Sequence, residues 1–358
     1  MTMKEKPCVS MIMPVYNAEA YLEESIRSVM EQSYAEWELL LVDDSSTDHS
    51  LQICQAMAGK DARIRVIALE ENVGAGYARN EGIQQAAGKY LTFVDADDAV
   101  DPAILENAVT LAEHHDLDWV VWGLREEYYD PQGKKQHERT ILPEDRCYPL
   151  AMQARQAMIG LEEKTLFGYQ WNKLYRTEII QEGHVFFENA VLYEDFFFNV
   201  AYAKRIQSMG TLAQAGYCYK KRNQDSVTAS FVAEYFELSW RRVQEMTSLY
   251  KEWRMLGKRE RDILGNIYLR YMMSALARNC DPRAQMNGRE RSAWIRKRYA
   301  DSLYQEVGAK CRARKKEYRL TQMLLNQHWT LALRGLGRGL YIVQHGCRTI
   351  FVKEKTKG

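Results

Sequence analysis

The stretch VSMIMPVYNAEAYLEESIRSVMEQSYAEWELLLVDD, Val9 to Asp44, decides the fold. Two apolar segments, VSMIMPVY (Val9 to Tyr16) and WELLLVDD (Trp37 to Asp44), flank AEAYLEESIRSVMEQ (Ala18 to Gln32), whose apolar residues recur at helical spacing. A strand, a helix and a second strand within so short a span predict a parallel pair joined by a helical crossover. The pattern continues with helix-period SLQICQAMAG (Ser50 to Gly59), apolar IRVIAL (Ile64 to Leu69), helix-period GYARNEGIQQAAG (Gly76 to Gly88) and KYLTFVDADD (Lys89 to Asp98). The prediction is an α/β domain with a largely parallel sheet. Such sheets bind ligands outside the carboxyl ends of their strands. Tyr16-Asn17, Asp43-Asp44 and the Asp95 cluster should therefore share one crevice.

From Pro102 to about Lys173 the pattern reads as a helix, the strand DWVVWG (Asp118 to Gly123) and a polar loop, DPQGKKQHERT. WNKLYRTEII (Trp171 to Ile180), LYEDFFFNVAYAKRI (Leu192 to Ile206) and GYCYKKRNQDSVTAS (Gly216 to Ser230) follow, and from Ala233 onward the periodicity is helical. At 358 residues the chain exceeds one comfortable core, which predicts a main domain and a second region. With 46% hydrophobic and 27% charged residues, extensive disorder is not expected.

The net charge of +1 hides an asymmetry: residues 282–358 hold 18 Lys and Arg against 5 Asp and Glu, a net of +13, which leaves −12 for residues 1–281. Seven scattered cysteines without a CxxC pair fit reduced thiols, so the default expectation is a cytoplasmic protein. The first residues lack the pattern of a signal peptide, and no apolar run is long enough to span a membrane.

Within FVDADDAV (Phe93 to Val100), three carboxylates crowd one another and disfavour their own ionised forms. The cluster ends a strand, and because strand side chains alternate, D-x-D there projects Asp95 and Asp97 to one side, where they can address one ion. Hard cations such as Mg²⁺ need only one or two carboxylates when substrate phosphates complete the shell. For an isolated D-x-D, an acidic turn capping the next helix, at Asp101-Pro102, is the better explanation. Capping accounts for Ser46 to Asp48, but it explains Asp43-Asp44 poorly; a strand-end carboxylate suits an imide N–H, and Tyr16 suits stacking on a base. In NVGAGYARNEG, Arg79 stands where a dinucleotide fingerprint wants its third glycine, and it is better suited to a nucleotide or diphosphate. Glu194-Asp195 lies between Tyr193 and Phe196 to Phe198, where partial desolvation would make an acid a better proton acceptor. Lys220, Lys221 and Arg222, with Ser226 and Thr228, are a candidate phosphate clasp.

Taken in order, VSMIMPVYNAEAYLEESIRSVMEQSYAEWELLLVDDSSTD, NVGAGYARNEGIQQAAGKYLTFVDADD, WNKLYR, LYEDFFFN and KKRNQDSVT resemble the family 2 glycosyltransferases of GT-A fold, over about residues 7–230. The resemblance implies a Rossmann-like, mostly parallel sheet flanked by helices, with a nucleotide-sugar half at about 7–101 and an acceptor half at about 102–230. Residues 231–358 would form a helical, basic C-terminal region. It implies inverting sugar transfer from a nucleotide diphosphate sugar, read as a UDP-sugar, to a glycan or lipid-linked oligosaccharide in bacterial cell-surface polysaccharide synthesis. Carried over by position, Tyr16, Asp44, Asn72, Arg79, Asp95, Lys173 and Arg222 would bind the donor. Asp97 with Asp95 would hold Mn²⁺ or Mg²⁺, Asp195 would be the general base, and Glu194 would support it.

Beyond about residue 231 only physics remains. In LTQMLLNQHWTLALRGLGRGLYIVQ, Leu320, Leu324, Leu333, Leu336, Leu340 and Val343 approximate one helical stripe, with Arg319, Arg334 and Arg338 among the polar positions. Such a basic amphipathic helix suits peripheral contact with the cytoplasmic face of an anionic inner membrane, or packing on the protein itself or a partner. No nucleic acid is expected, because few aromatic platforms interleave with the charge. Two other readings of the whole chain are a metal-dependent nucleotidyltransferase and a catalytically silent glycan-binding or scaffold protein.

Overall fold

The computed structural model describes residues 7–222 and 231–346. Two compact units are present, Met1–Gln224 and Asp225–Gly358. In the first, parallel strands β1 (Val9–Val15), β2 (Trp37–Asp43), β3 (Ile64–Ala68) and β4 (Tyr90–Phe93) are joined by helices α1 (Leu22–Met30), α2 (Ser50–Ala58) and α3 (Ala75–Gln85). The sheet then takes β5 (Ala99–Val100), β6 (Trp119–Tyr129), β9 (Lys173–Arg176) and β10 (Met209–Lys221), giving the order β3-β2-β1-β4-β9-β6-β10-β5. Helices α4 (Ile104–His115), α5 (Ala151–Glu163), α6 (Thr177–Glu182) and α7 (Glu194–Ala203) complete the unit. β1, β2 and β4 have almost no exposed residue, as expected of parallel strands covered by helices on both faces.

Close packing sets α3 in place. A Cβ on Gly82 would lie 2.5 Å from Cγ2 of the fully buried Ile12 on β1, so only glycine lets this helix approach the sheet so closely. Arg79, one turn earlier, is thereby held over the carboxyl end of the sheet.

Three sequence expectations need correction. The strand expected over Lys89 to Asp98 stops at Phe93, and Asp95 to Asp98 form a turn closed by Asp98 N–H to Asp95 O at 3.1 Å. Ser25 Oγ also donates to the carbonyls of both Asp95 and Asp98. Strand alternation therefore does not aim the two carboxylates. The polar loop at residues 130–140 is largely strand: β7 (Lys135–Ile141) pairs antiparallel with β6 beyond a turn at Gly133 (φ 77°), in which Asp130 Oδ1 accepts the Gln132 and Lys134 amides. Its residues are mostly exposed and polar, so it has no apolar period to read. Strand β8 (Arg146–Tyr148) was not anticipated either; it pairs with β10.

The second unit is helical, with α8 (Tyr235–Glu252), α9 (Lys258–Arg278), α10 (Gly288–Tyr299), α11 (Lys316–Asn326) and α12 (Thr330–Gly346). The single stripe expected from Leu320 to Val343 is thus two helices. His328 adopts φ 56°, Trp329 N–H turns back to Leu324 O, and Asn326 is tied to Tyr304 Oη and Ala309 O. Among the described residues no helix is long and apolar enough to cross a membrane.

Candidate active site

Residues following β1, β2 and β4 meet the start of α3 at one end of the sheet. Asp44 comes directly after β2 and is almost wholly buried; Oδ1 accepts the Val73 amide at 2.8 Å and Oδ2 the Gly74 amide at 2.9 Å. Gly74 has φ 89°, which glycine adopts without strain, and Asn72 Nδ2 donates to Asp44 O. Asp44 therefore pins the loop that enters α3, with Tyr16 just over half exposed beyond the end of β1. Its neighbour Asp43 accepts the Ser46 amide through Oδ2, while Oδ1 is buried without a donor.

The centre of the cluster is Arg79. Its side chain is 6% exposed; Nη2 donates to Asp95 Oδ1 at 2.8 Å, and Nη1 lies 3.7 Å from Asp195 Oδ1 and 3.9 Å from Glu194 Oε1. Burial disfavours the guanidinium charge, but Asp95, Asp195 and Glu194 outweigh it and raise the Arg79 pKa. The pair expected to supply the base thus sits beside the D-x-D turn, with one cation shared between them. Glu194 and Asp195 open α7, after Tyr193 in a left-handed conformation (φ 69°). Asp195 Oδ1 is buried and receives no hydrogen bond. Burial first, then repulsion from Glu194, raises the Asp195 pKa well above the usual carboxylate range, against the pull of Arg79.

The three acids of the D-x-D turn have separate environments. Asp95 Oδ1 is held by Arg79 and, at 3.3 Å, by Gln170 Nε2. Asp97 keeps 53% of its side chain exposed; burial of the rest, followed by repulsion from Asp95, raises its pKa. Arg222 donates to Asp97 O at 2.5 Å, and its guanidinium lies 3.9 Å from the Tyr21 ring centroid. Asp98 is structural: Oδ1 accepts the Lys220 amide, Oδ2 accepts Tyr217 Oη, and the same hydroxyl accepts the Asp95 amide. The Tyr217 ring stacks on Trp171 at 3.9 Å, and Trp171 on Tyr169 at 4.4 Å. Ser226 and Thr228 lie outside the described residues.

Lys173, expected to bind the donor, exposes no surface in this crevice. It is fully buried, and its ammonium donates to Leu166 O at 2.8 Å, to Asn172 Oδ1 at 2.5 Å and to Tyr169 O. Burial pushes its pKa well down, yet three acceptors around one nitrogen match the three protons of the charged form. Asn199 on α7 binds the same loop through Phe167 O, Gly168 O and Tyr169 O. Together they fix the segment that carries Gln170 to Asp95.

Asp95 Oδ1 is taken by protein donors and Asp97 is half exposed, which leaves a one- or two-carboxylate donor set. Among the described residues no three Asp, Glu, His or Cys converge on a metal position. That donor set fits a hard cation completed by phosphate oxygens and water rather than an all-protein cage.

The glycosyl transferase family 2 model matches residues 10–183. The glycosyltransferase EpsJ of Bacillus subtilis is 30% identical over 275 residues, covering 76% of this chain and 78% of its own. The chain belongs to glycosyl transferase family 2. Among solved structures, Staphylococcus aureus TarS 1–349 in complex with UDP-GlcNAc aligns at a TM-score of 0.61 and 22% identity, over 94% of this chain and 91% of that one. The mannosyltransferase PcManGT of Pyrobaculum calidifontis, in complex with GDP-Man and Mn²⁺, aligns at 0.50 and 16%, over 94% and 88%. At these identities the structural likenesses carry the GT-A fold.

In this glycosyltransferase several organising side chains were not singled out from sequence. Gln170 immediately precedes WNKLYR, and its polarity within an aromatic run was a signal available to read. Tyr217 and Asn199 bear on the site only through tertiary contacts, and no spacing reveals them.

Proposed function

We propose that this family 2 glycosyltransferase transfers a sugar, with inversion, from a UDP-sugar to a hydroxyl of a glycan or lipid-linked acceptor in cell-surface polysaccharide synthesis, at the cytoplasmic face of the membrane. The observation that carries the reading is Asp195, a quarter exposed and with one buried, orphaned oxygen, placed across Arg79 from the D-x-D turn. Tyr16 and Asp44 bind the nucleobase, with Asn72 and Arg79 beside them, and Arg222 serves the diphosphate. Asp97, with Asp95, is the place for Mn²⁺ or Mg²⁺, which when bound offsets negative charge on the leaving diphosphate.

Asp195 accepts the proton of the acceptor hydroxyl as that oxygen attacks the anomeric carbon from the side opposite the diphosphate. A single displacement inverts the centre. Arg79 keeps the two acids of α7 in place and moderates their repulsion, while Glu194 supports the base. Support for the UDP reading comes from the UDP-GlcNAc complex of TarS, and support for a divalent ion from the Mn²⁺ complex of PcManGT. The expected result with a panel of UDP- and GDP-sugars plus Mn²⁺ is release of UDP that stops on chelation, and a product of inverted configuration by NMR. A retained configuration, or pyrophosphate release, would contradict it.

A further inference from the structure

The second unit presents an apolar surface where a water-facing helix normally carries charge. Of the fourteen exposed large hydrophobic residues in the described chain, six fall within residues 320–343: Leu320, Met323, Trp329, Leu331, Ile342 and Val343. On α12 the solvent-facing positions include Leu331 at 77% exposure and Ile342 at 57%, with Gly335 and Gly339 opening onto empty space. Opposite, Gly337 packs against the Leu276 backbone of α9, so the inward face is already occupied.

Beside this surface lies a cavity of about 400 Å³, lined by Arg291, Arg334 and Arg338 together with Leu331, Tyr341 and Ile342. Arg334 donates to Ser292 Oγ at 3.3 Å and Arg291 to Asn279 O at 3.4 Å, but among the described residues none of the three arginines pairs with a carboxylate. Around them, residues 310–346 hold eight Lys and Arg and one acid, Glu317. Unneutralised guanidiniums beside an apolar face match a phosphate headgroup with its acyl chains below it.

We propose that the α11–α12 surface seats on an anionic bilayer, with a phospholipid phosphate among Arg291, Arg334 and Arg338 and with Leu331, Trp329 and Ile342 entering the acyl boundary. A second copy of the chain is the poorer occupant. A two-fold contact would bury this patch against itself and bring arginines together without acids. The proposal assigns residues to the membrane contact named above and rests on that reading.

The test is flotation of the full chain with vesicles of phosphatidylcholine alone and of phosphatidylcholine mixed with phosphatidylglycerol. Wild type is expected to float only with the mixed vesicles. Arg338→Gln should weaken partitioning roughly fivefold, the equivalent of ~1 kcal/mol for one cation near an anionic surface. Leu331→Glu with Ile342→Glu should abolish flotation, with the thermal midpoint unchanged because both side chains are exposed. Failure to float, equal flotation with neutral vesicles, or unchanged flotation of the double variant would overturn the proposal. So would inorganic phosphate binding without flotation, or a concentration-dependent dimer abolished by Ile342→Glu. UDP binding measured on the same preparations separates failure here from failure of the donor-site reading.

Discussion

Asp195→Asn is expected to lower kcat by on the order of 10³-fold, within the range that general-base catalysis contributes, while the protein stays folded. Asparagine keeps the shape of the side chain but cannot accept the proton. Because burial and Glu194 raise the Asp195 pKa, the wild-type rate should fall as pH drops through a value above the ordinary carboxylate figure of about 4. That acid limb should vanish in the variant. A raised pKa in the folded state means that stability linked to this group is complete below its unfolded pKa and is lost as pH rises through the folded one. At neutral pH the asparagine therefore removes an ionisation cost, and Arg79 keeps its 2.8 Å bond to Asp95. A thermal midpoint equal to or above wild type, with the rate lost, is the expected pair of results. An unchanged kcat would remove Asp195 from the chemistry.

Lys173→Met should have the largest effect on stability. The variant leaves Leu166 O, Tyr169 O and Asn172 Oδ1 without this donor in a fully buried site. Leu166 O keeps Asn172 Nδ2 and Tyr169 O keeps Asn199 Nδ2, so only Asn172 Oδ1 loses its one donor, and at ~1–3 kcal/mol for a buried acceptor left unpaired the expected loss is about 2 kcal/mol. That corresponds to about 4–8 °C in the midpoint of a domain of this size. Nucleotide affinity should weaken as well, because the released loop carries Gln170, a donor to Asp95. A scanning-calorimetry midpoint within one or two degrees of wild type, roughly the effect of 0.5 kcal/mol, would show that the ammonium does not hold the loop.

The alternation that opens the chain was legible because parallel strands covered on both faces must be apolar throughout: β1, β2 and β4 appear as unbroken hydrophobic runs. β7 escaped for the opposite reason, since KQHERTI has polar residues on both faces and is identified only by its pairing with β6. In the site, the acids and Arg79 were visible as residue types out of place for a bland core. Their grouping around one guanidinium was not, because it depends on α3 and α7 converging from positions more than a hundred residues apart. Lys173 misled for a related reason. A lysine in an aromatic motif reads as a solvent-facing or ligand-facing cation, and only the folded loop supplies the three oxygens that make burial tolerable. The break between α11 and α12 contains neither glycine nor proline, so periodicity ran through it; tertiary bonds from Asn326 and the left-handed His328 make the turn.

The central claim is a nucleotide donor site built on the D-x-D turn, and calorimetric titration of UDP, with and without Mn²⁺, into wild type and Asp97→Ala tests it most directly. Asp97 is half exposed, so its removal should leave the fold standing. Mn²⁺-dependent UDP binding is expected in the wild type, tighter than that of GDP or CDP and lost in the variant. Binding of no nucleoside diphosphate under any condition, or UDP binding that is indifferent to both Mn²⁺ and Asp97, would contradict it.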